Sequence, residues 1–457
     1  MIAKVFARWL RFGLGVMSLG WAGCSVPDDP QGLLIGVARV DVTPDYPIRL
    51  TGYAARSGPS TGTAQRLWAK ALAIGSDREN PRVLVTVDNC GVSHGIIDGV
   101  ASRLKGRVGL KRENFAVASS HTHSGPMVRG FAANIFVRDL TTEEAVAIDR
   151  YTAELTDRLE AVVLAALADR RLGKLFRGEG RVGFGANRRT PGGPVDPSLP
   201  ILVVKDMDGG VRAVVANYAC HCTTLGHQIN QHHGDWAGFA QEVLEQDHPG
   251  AVAMITIGCG ADTNPSPRGG EDFGMTLAKA HGRALATEAG RVMSAGLRPV
   301  ERLPLPAMRR FDLPFQTLPT REEWEKRAQE SGIVGYHALK NLARLDRGET
   351  LPTTLPYSVQ AWRFGDGFSM VFLPGEVVVD YALRLKSELP GEDLWITAYA
   401  NDVPCYIPSK RILKEGGYEA ETSLWYYDRP ARLSPDTEDI IHARVRELIG
   451  ETPASPP

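Results

Sequence analysis

The chain has 457 residues, 43% hydrophobic and 23% charged, an ordinary globular composition with ample material for a core. Its formal net charge is −1 and it holds no basic run, which argues against a nucleic-acid partner. Internal repeats, heptads and low-complexity tracts are absent from the sequence beyond the Pro-rich end ETPASPP.

In chain order, MIAKVFARWLRFGLGVMSLGWAGC comes first, with Lys4, Arg8 and Arg11 ahead of a short apolar stretch from Phe12 to Ala22. This is the grammar of an export signal over residues 1–24, and its apolar stretch is too short to span a bilayer. WAGC, ending at Cys24, resembles a bacterial lipoprotein processing site. The mature chain is therefore expected in the cell envelope, attached to the membrane surface through a lipid anchor on Cys24, with plain secretion as the alternative. Next, LLIGVARVDV, RVLVTVD and NFAVASS read as strands, IDGVASRLKGR as a helix and EEAVAIDRYTAELTDRLEAVVLAALADRR as the longest helix. KLFRGEGRVGFGANRRTPGGP reads as a Gly-rich loop. PILVVKD, VRAVVANYACH and AVAMITIG read as strands, AGFAQEVLEQ and residues 273–295 as helices. Residues 298–355 are less regular, with two short helical stretches that suit a lid or a helical insertion. SMVFL, the helix VVVDYALRLKSEL, the strand LWITAYA and the helix TEDIIHARVRELI close the pattern. The alternation predicts an α/β domain over residues 33–450, with mixed, largely parallel sheets flanked by helices.

Polar clusters fall where the β runs end. If NFAVASS is a strand, alternation turns His121 and His123 to one side. Two imidazoles aimed at one point can hold a metal, or divide the work of ligand and proton donor. The other reading is a polar strand end with two chance histidines. In YACHCTTLG, alternation sends His221 opposite Cys220 and Cys222, which then pack as small buried hydrophobes. Setting Cys24 aside leaves five of the six cysteines, an odd number and sparse for a disulfide scaffold. Glu376, at the turn LPGEVV, is either a metal ligand or a first-turn carboxylate that favours the helix dipole. HQINQHHGDWAGFA puts His227, His232 and His233 in a loop, read as solvated, and Asp235 either at a helix cap or behind a ligand histidine. GCGADTNP and NDVPCYIP follow two further strands. Sites in open α/β sheets gather beyond the carboxyl ends of strands, so these clusters could meet in one cleft.

SSHTHSGP, ANRRTP, NYACHCTTLG…GDWAGFA, FLPGE and NDVPCYIP…GGYEA stand in the order found in the neutral/alkaline, non-lysosomal ceramidases. Over roughly residues 33–430 the chain resembles that family. The resemblance implies a zinc (Zn2+) amidase acting on a ceramide-like N-acyl substrate, a small-molecule or lipid amide. It implies His121, His221, Glu376 and Tyr406 as zinc ligands and His123 as proton shuttle or oxyanion donor. Arg188 matches the family's active-site arginine (Arg189 if the loop register slips by one), and Tyr418 is a further oxyanion donor. Zinc would lower the pKa of water and polarise the amide carbonyl. The family's Gly-Asp-Val-Ser-Pro-Asn stretch, whose serine has been discussed as a nucleophile, is here GADTNP, without a serine before Ser266. Zinc-activated water is therefore the expected nucleophile, Thr263 is dispensable, and Asp262 or Asn264 hydrogen-bonds the polar part of the substrate. The family's C-terminal immunoglobulin-like domain is also not expected. Alternatives are a zinc esterase or other non-peptide hydrolase, and a non-catalytic cell-surface binding protein.

Overall fold

A computed structural model describes residues 32–270 and 273–450. The export signal, Cys24 included, lies outside the described residues. The chain runs β1 (Leu33–Asp41), β2 (Trp68–Ile74), β3 (Arg82–Val87), α1 (His94–Val108), β4 (Phe115–Ser119), α2 (Thr142–Ala168), β5 (Arg171–Arg181), β6 (Gly185–Asn187), β7 (Ser198–Asp206) and β8 (Val211–Tyr218). It continues through α3 (Asp235–Asp247), β9 (Val252–Ile257), β10 (Thr263–Pro265), α4 (Gly274–Ala295), β11 (Arg298–Val300), β12 (Leu305–Pro314), α5 (Arg321–Arg327) and α6 (Gly332–Asp346). The last part holds β13 (Thr354–Gly365), β14 (Phe368–Phe372), β15 (Glu376–Val377), α7 (Val379–Glu388), β16 (Asp393–Thr397), β17 (Tyr406–Ile407), α8 (Lys410–Glu415), α9 (Ser423–Tyr426) and α10 (Thr437–Gly450).

Alternating burial builds two sheets that share one inner layer. In β3, Val83, Val85 and Val87 face the helices, while Leu84 faces inward. The nine-stranded sheet has the order β4-β3-β2-β1-β5-β7-β8-β9, with β11 on β5, and the four-stranded sheet has the order β12-β13-β14-β16. Between them Ile35, Leu84, Leu202 and Met254 of the first meet Trp362, Phe372 and Trp395 of the second. Helices α2 and α4 cover the outer face of the larger sheet, and α7 and α10 that of the smaller. The mixed α/β class holds, with helices outside two sheets. The pairing itself is chiefly antiparallel, which corrects the expectation of largely parallel sheets. Parallel pairs occur at β3–β4, β8–β9 and β14–β16, where α1, α3 and α7 make the crossovers. Elsewhere neighbours such as β2–β3 and β7–β8 are joined by short connections and run antiparallel.

Among the strands that escaped the sequence reading, β5 and β2 did so for clear physical reasons. The Gly-rich stretch expected as a loop begins with β5, eleven residues long and paired with β1, β7 and β11. Its glycines let α4 lie directly on the strand: a Cβ on Gly178 would sit 2.6 Å from Val292, and one on Gly180 2.7 Å from the same side chain. In β2 the buried Lys70 breaks the apolar run, and it is satisfied by Glu245 at 2.7 Å and the Ala253 carbonyl at 2.8 Å. The zone 298–355 holds β11, β12, α5 and α6 and so is richer in strand than expected. Gly178→Ala should overpack the α4 seam and cost about 1–3 kcal/mol of stability, read as a lower urea midpoint with unchanged slope.

Candidate metal centre

The centre forms where β4, β8 and β9 of one sheet and β14 and β16 of the other reach their carboxyl ends. Ala118 of β4 bridges to Ala400, just past β16, and Asn401 donates its N–H to Val117 at 2.8 Å, locking the sheets together there. His121 and His123 lie beyond the end of β4, and His121 has φ of +56°, a left-handed conformation costly for a non-glycine residue. Strand alternation is therefore not what pairs them; this turn is. They do meet, with Nε2 atoms 3.2 Å apart.

His121 Nδ1 lies 2.6 Å from the Cys90 carbonyl, and His221 Nδ1 lies 2.9 Å from the Gly260 carbonyl. A carbonyl oxygen only accepts, so each Nδ1 carries the hydrogen and each Nε2 turns a lone pair inward. Both lone pairs face Glu376 Oε2 at 3.2 Å, and Tyr406 Oη is 3.4 Å from His221 Nε2. Glu376 Oε1 accepts a hydrogen bond from Tyr427, while Oε2 is buried without a hydrogen-bond partner among the described residues. Lone pairs and a carboxylate oxygen crowded in a buried space repel unless a cation lies between them. The His121, His221 and Glu376 donor atoms lie within 4.8 Å of one another, and with Tyr406 they make an N2O2 set that suits zinc. Burial opposes both charges, yet without a metal a proton takes the cation's place: Cys90 and Glu376 raise His121 to about 10, and His121 in turn holds the Glu376 carboxyl well below the usual range. Burial and then Arg188 lower His221 to about 4. Burial, followed by His121 and His221, keeps His123 well below its ordinary value, so it is neutral at neutral pH.

On the open side, Arg188 donates from Nε to Glu419 at 2.8 Å and from Nη2 to Tyr406 at 3.2 Å. Arg188, not Arg189, thus reaches the centre; Arg189 is held by Glu419 and by Glu415 at 3.1 Å. Tyr418 packs 5.3 Å from the Tyr406 ring and beside the Arg188 guanidinium. These residues, with His123 and Asn264, line a cleft of about 650 Å³. Asp262 does not line it. Its buried carboxylate accepts from Val379 N–H at 2.9 Å, opening α7, and from Asn187 at 3.1 Å, which corrects its expected substrate contact. Asp235 accepts from the Thr224, Leu225 and Trp236 amides, holding the loop after His221 rather than a ligand imidazole. Contrary to the solvated reading, His232 and His233 are buried, against Thr63 and the Asp235 N–H; His227 is exposed. Cys220 and Cys222 are buried free thiols, as are Cys90, Cys259 and Cys405.

Several supporting residues carried no sequence signal. Tyr399 stacks on His121 at 4.2 Å, and Arg56 binds the His123 carbonyl and Ser124. Gly52, at φ +93°, lets His123 approach, since a Cβ there would lie 2.6 Å from its Nδ1. Helices α5 and α6 pack around Trp324 and Ala338, and Arg344 of α6 binds Asp428, next to the Tyr427 that holds Glu376. The irregular zone is a brace rather than a flap.

Fold and centre together define a two-sheet α/β protein with a buried His–His–Glu–Tyr cluster of the kind that holds a divalent metal. Residues 33–258 match the family described as neutral/alkaline non-lysosomal ceramidase, N-terminal, and this segment belongs to that family. Neutral ceramidase of Oryza sativa is 24% identical over 52% of this chain and 31% of its own length. Those of Drosophila melanogaster and Pseudomonas aeruginosa are 24% and 25% identical, over 51% and 46% of this chain and 36% and 33% of theirs. The match thus spans about a third of each of these relatives. The crystal structure of neutral ceramidase from Pseudomonas aeruginosa superposes with a TM-score of 0.72 at 20% identity, covering 94% of this chain and 77% of that one. The two share a fold.

His121→Ala should abolish high-affinity zinc binding, whereas His123→Ala and Gly52→Ala should retain it, as read by elemental analysis after dialysis. Equal metal loss in all three would show the ligand assignment to be wrong.

Proposed function

We propose that the chain is a zinc-dependent hydrolase that cleaves the amide bond of an N-acyl substrate with water as the nucleophile. The relatives are neutral ceramidases by name, and the N-acyl amide bond is taken from them. The observation that carries the reading is the pair of Nε2 lone pairs, on His121 and His221, converging on one buried Glu376 oxygen beside Tyr406. Zinc held by these four residues would polarise the carbonyl and lower the pKa of water.

The chain's own groups supply the rest. His123 is neutral, lines the cleft and sets its Nε2 beside the centre, 3.2 Å from His121 Nε2, so it can take the proton from water and pass it to the leaving amine. Arg188, fixed by Glu419, and the Tyr418 hydroxyl donate to the oxyanion that develops on the carbonyl. Thr263 is unsuited to attack. It is buried, does not line the cleft, and its neighbour Asp262 is committed to Val379 and Asn187, leaving it no base. The same reading carries an export signal and a lipid anchor at Cys24.

Zinc-loaded protein should release amine from N-acyl amides. His123→Ala should keep the metal and lose roughly 10²–10⁴-fold in rate. Thr263→Ala should keep most of the rate, and an acyl adduct on Thr263 detected by mass spectrometry would refute the water mechanism. Zinc binding without hydrolysis of any amide or ester would point instead to a binding protein. Cys24→Ser should move the protein from the membrane fraction to the soluble fraction; unchanged fractionation would exclude the anchor.

A further inference from the structure

The charges around the cleft do not balance. Arg188 and Arg189 share Glu419, and Glu415 adds a second carboxylate to Arg189. Arg268, on the opposite strand-end loop, also lines the cleft, is exposed, and has no carboxylate within ion-pair distance among the described residues. Among the described residues its hydrogen bond is from Nη1 to Thr223 Oγ1 at 3.2 Å, which orients the guanidinium. Thr223 in turn leans on Asn264 Oδ1 at 3.5 Å, so the amide Nδ2 of Asn264 stays free among the described residues. Among the described residues, a cation without a carboxylate partner and an unused N–H donor therefore face the same space. Thr223 is two residues from His221 along an extended segment, roughly 7 Å of chain. Asn264 follows Thr263, whose carbonyl holds the His221 N–H at 3.0 Å. The pair thus sits next to the centre rather than out on the rim.

The lining chemistry points the same way. Apart from Gly52, each described residue that lines the cleft bears a hydroxyl, amide, imidazole or charge, and aliphatic side chains are absent among them. A buried methylene is worth about 0.8 kcal/mol only when apolar surface receives it. Here the ring faces of Tyr53, Tyr406 and Tyr418 are the main apolar surface on offer. That suits a short acyl group far better than two long alkyl chains.

We infer that the cleft takes a water-soluble N-acyl compound bearing an acidic group, of the N-acyl amino acid type, whose anion is bound by Arg268 and Asn264. The inference rests on the amide-hydrolase reading and names its substrate class. The carboxylate pairs with the Arg268 guanidinium and accepts from Asn264 Nδ2, while the amide lies toward His123 and Arg188.

The test compares N-acetyl and N-hexanoyl amino acids with the same compounds carrying a primary carboxamide in place of the carboxylate, alongside a ceramide in detergent. Zinc-loaded enzyme should prefer the acid over the carboxamide by roughly tenfold in kcat/KM. Arg268→Met should bring that ratio to near one, chiefly by raising KM, and Arg268→Lys should restore part of it. Hydrolysis of acid and carboxamide at equal rates, or of ceramide well above both, would overturn the inference while leaving amide hydrolysis intact. Calorimetric titration of zinc-loaded protein with the acid and the carboxamide decides the matter if turnover is absent. Tighter binding of the acid, lost in Arg268→Met, sustains the anion site, and equal binding of the two rejects it.

Discussion

Two backbone carbonyls decide the chemistry of this centre. By accepting the Nδ1 hydrogens of His121 and His221, Cys90 and Gly260 fix which nitrogen of each ring is bare. Had either imidazole turned its bare nitrogen to the main chain, the buried Glu376 oxygen would face an N–H, and the cluster would be an internal salt bridge closed to metal. The left-handed turn at His121, the stack on Tyr399 and the Tyr427 bond to Glu376 all hold that arrangement in place. Strain at one residue is tolerated because several neighbours over-determine it.

Around this fixed core the site is graded from dry to wet. His121, His221 and Glu376 are sealed from solvent, His123 is half-buried, and Arg188 stands between Tyr406 and the cleft. Glu419 is what makes a cation tolerable there, since it takes Arg188 and Arg189 together. Sealed ligands with exposed proton donors are the order that hydrolytic chemistry needs: rigid where charge is held, open where the substrate enters.

How far the sequence could be read follows from the range of the interactions involved. Polar clusters at strand ends are local patterns, and they pointed to the region where His121, His221, Glu376 and Tyr406 converge. Their pairing depended on tertiary turns, so alternation correctly anticipated that His121 and His123 meet while giving the wrong reason. Tyr427 acts across the fold on Glu376 with no local pattern to mark it, and Glu419, which holds Arg188, stands inside GGYEA without that role showing in the sequence. Asp262 looked like a substrate ligand because it stands in a Gly-rich turn, yet α7 claims its carboxylate. In β5 the glycines that announced a loop are the surface on which α4 rests, a packing fact invisible in one dimension. The strand pairing was misjudged for a similar reason: helices between strands suggested parallel sheets, but crossovers by helix join few of the pairs.

The four cluster residues lie just beyond strands of two different sheets. His121 and His221 follow strands of the nine-stranded sheet, whereas Glu376 and Tyr406 follow strands of the four-stranded one and are register partners in the β15–β17 ladder. The imidazole half and the oxygen half thus approach from opposite sides of the seam, at the point where Ala118 and Ala400 already bridge it. Any ion held between them acts as a rivet through that seam. Parting the sheets would release such an ion, so metal occupancy and resistance to unfolding would rise and fall together.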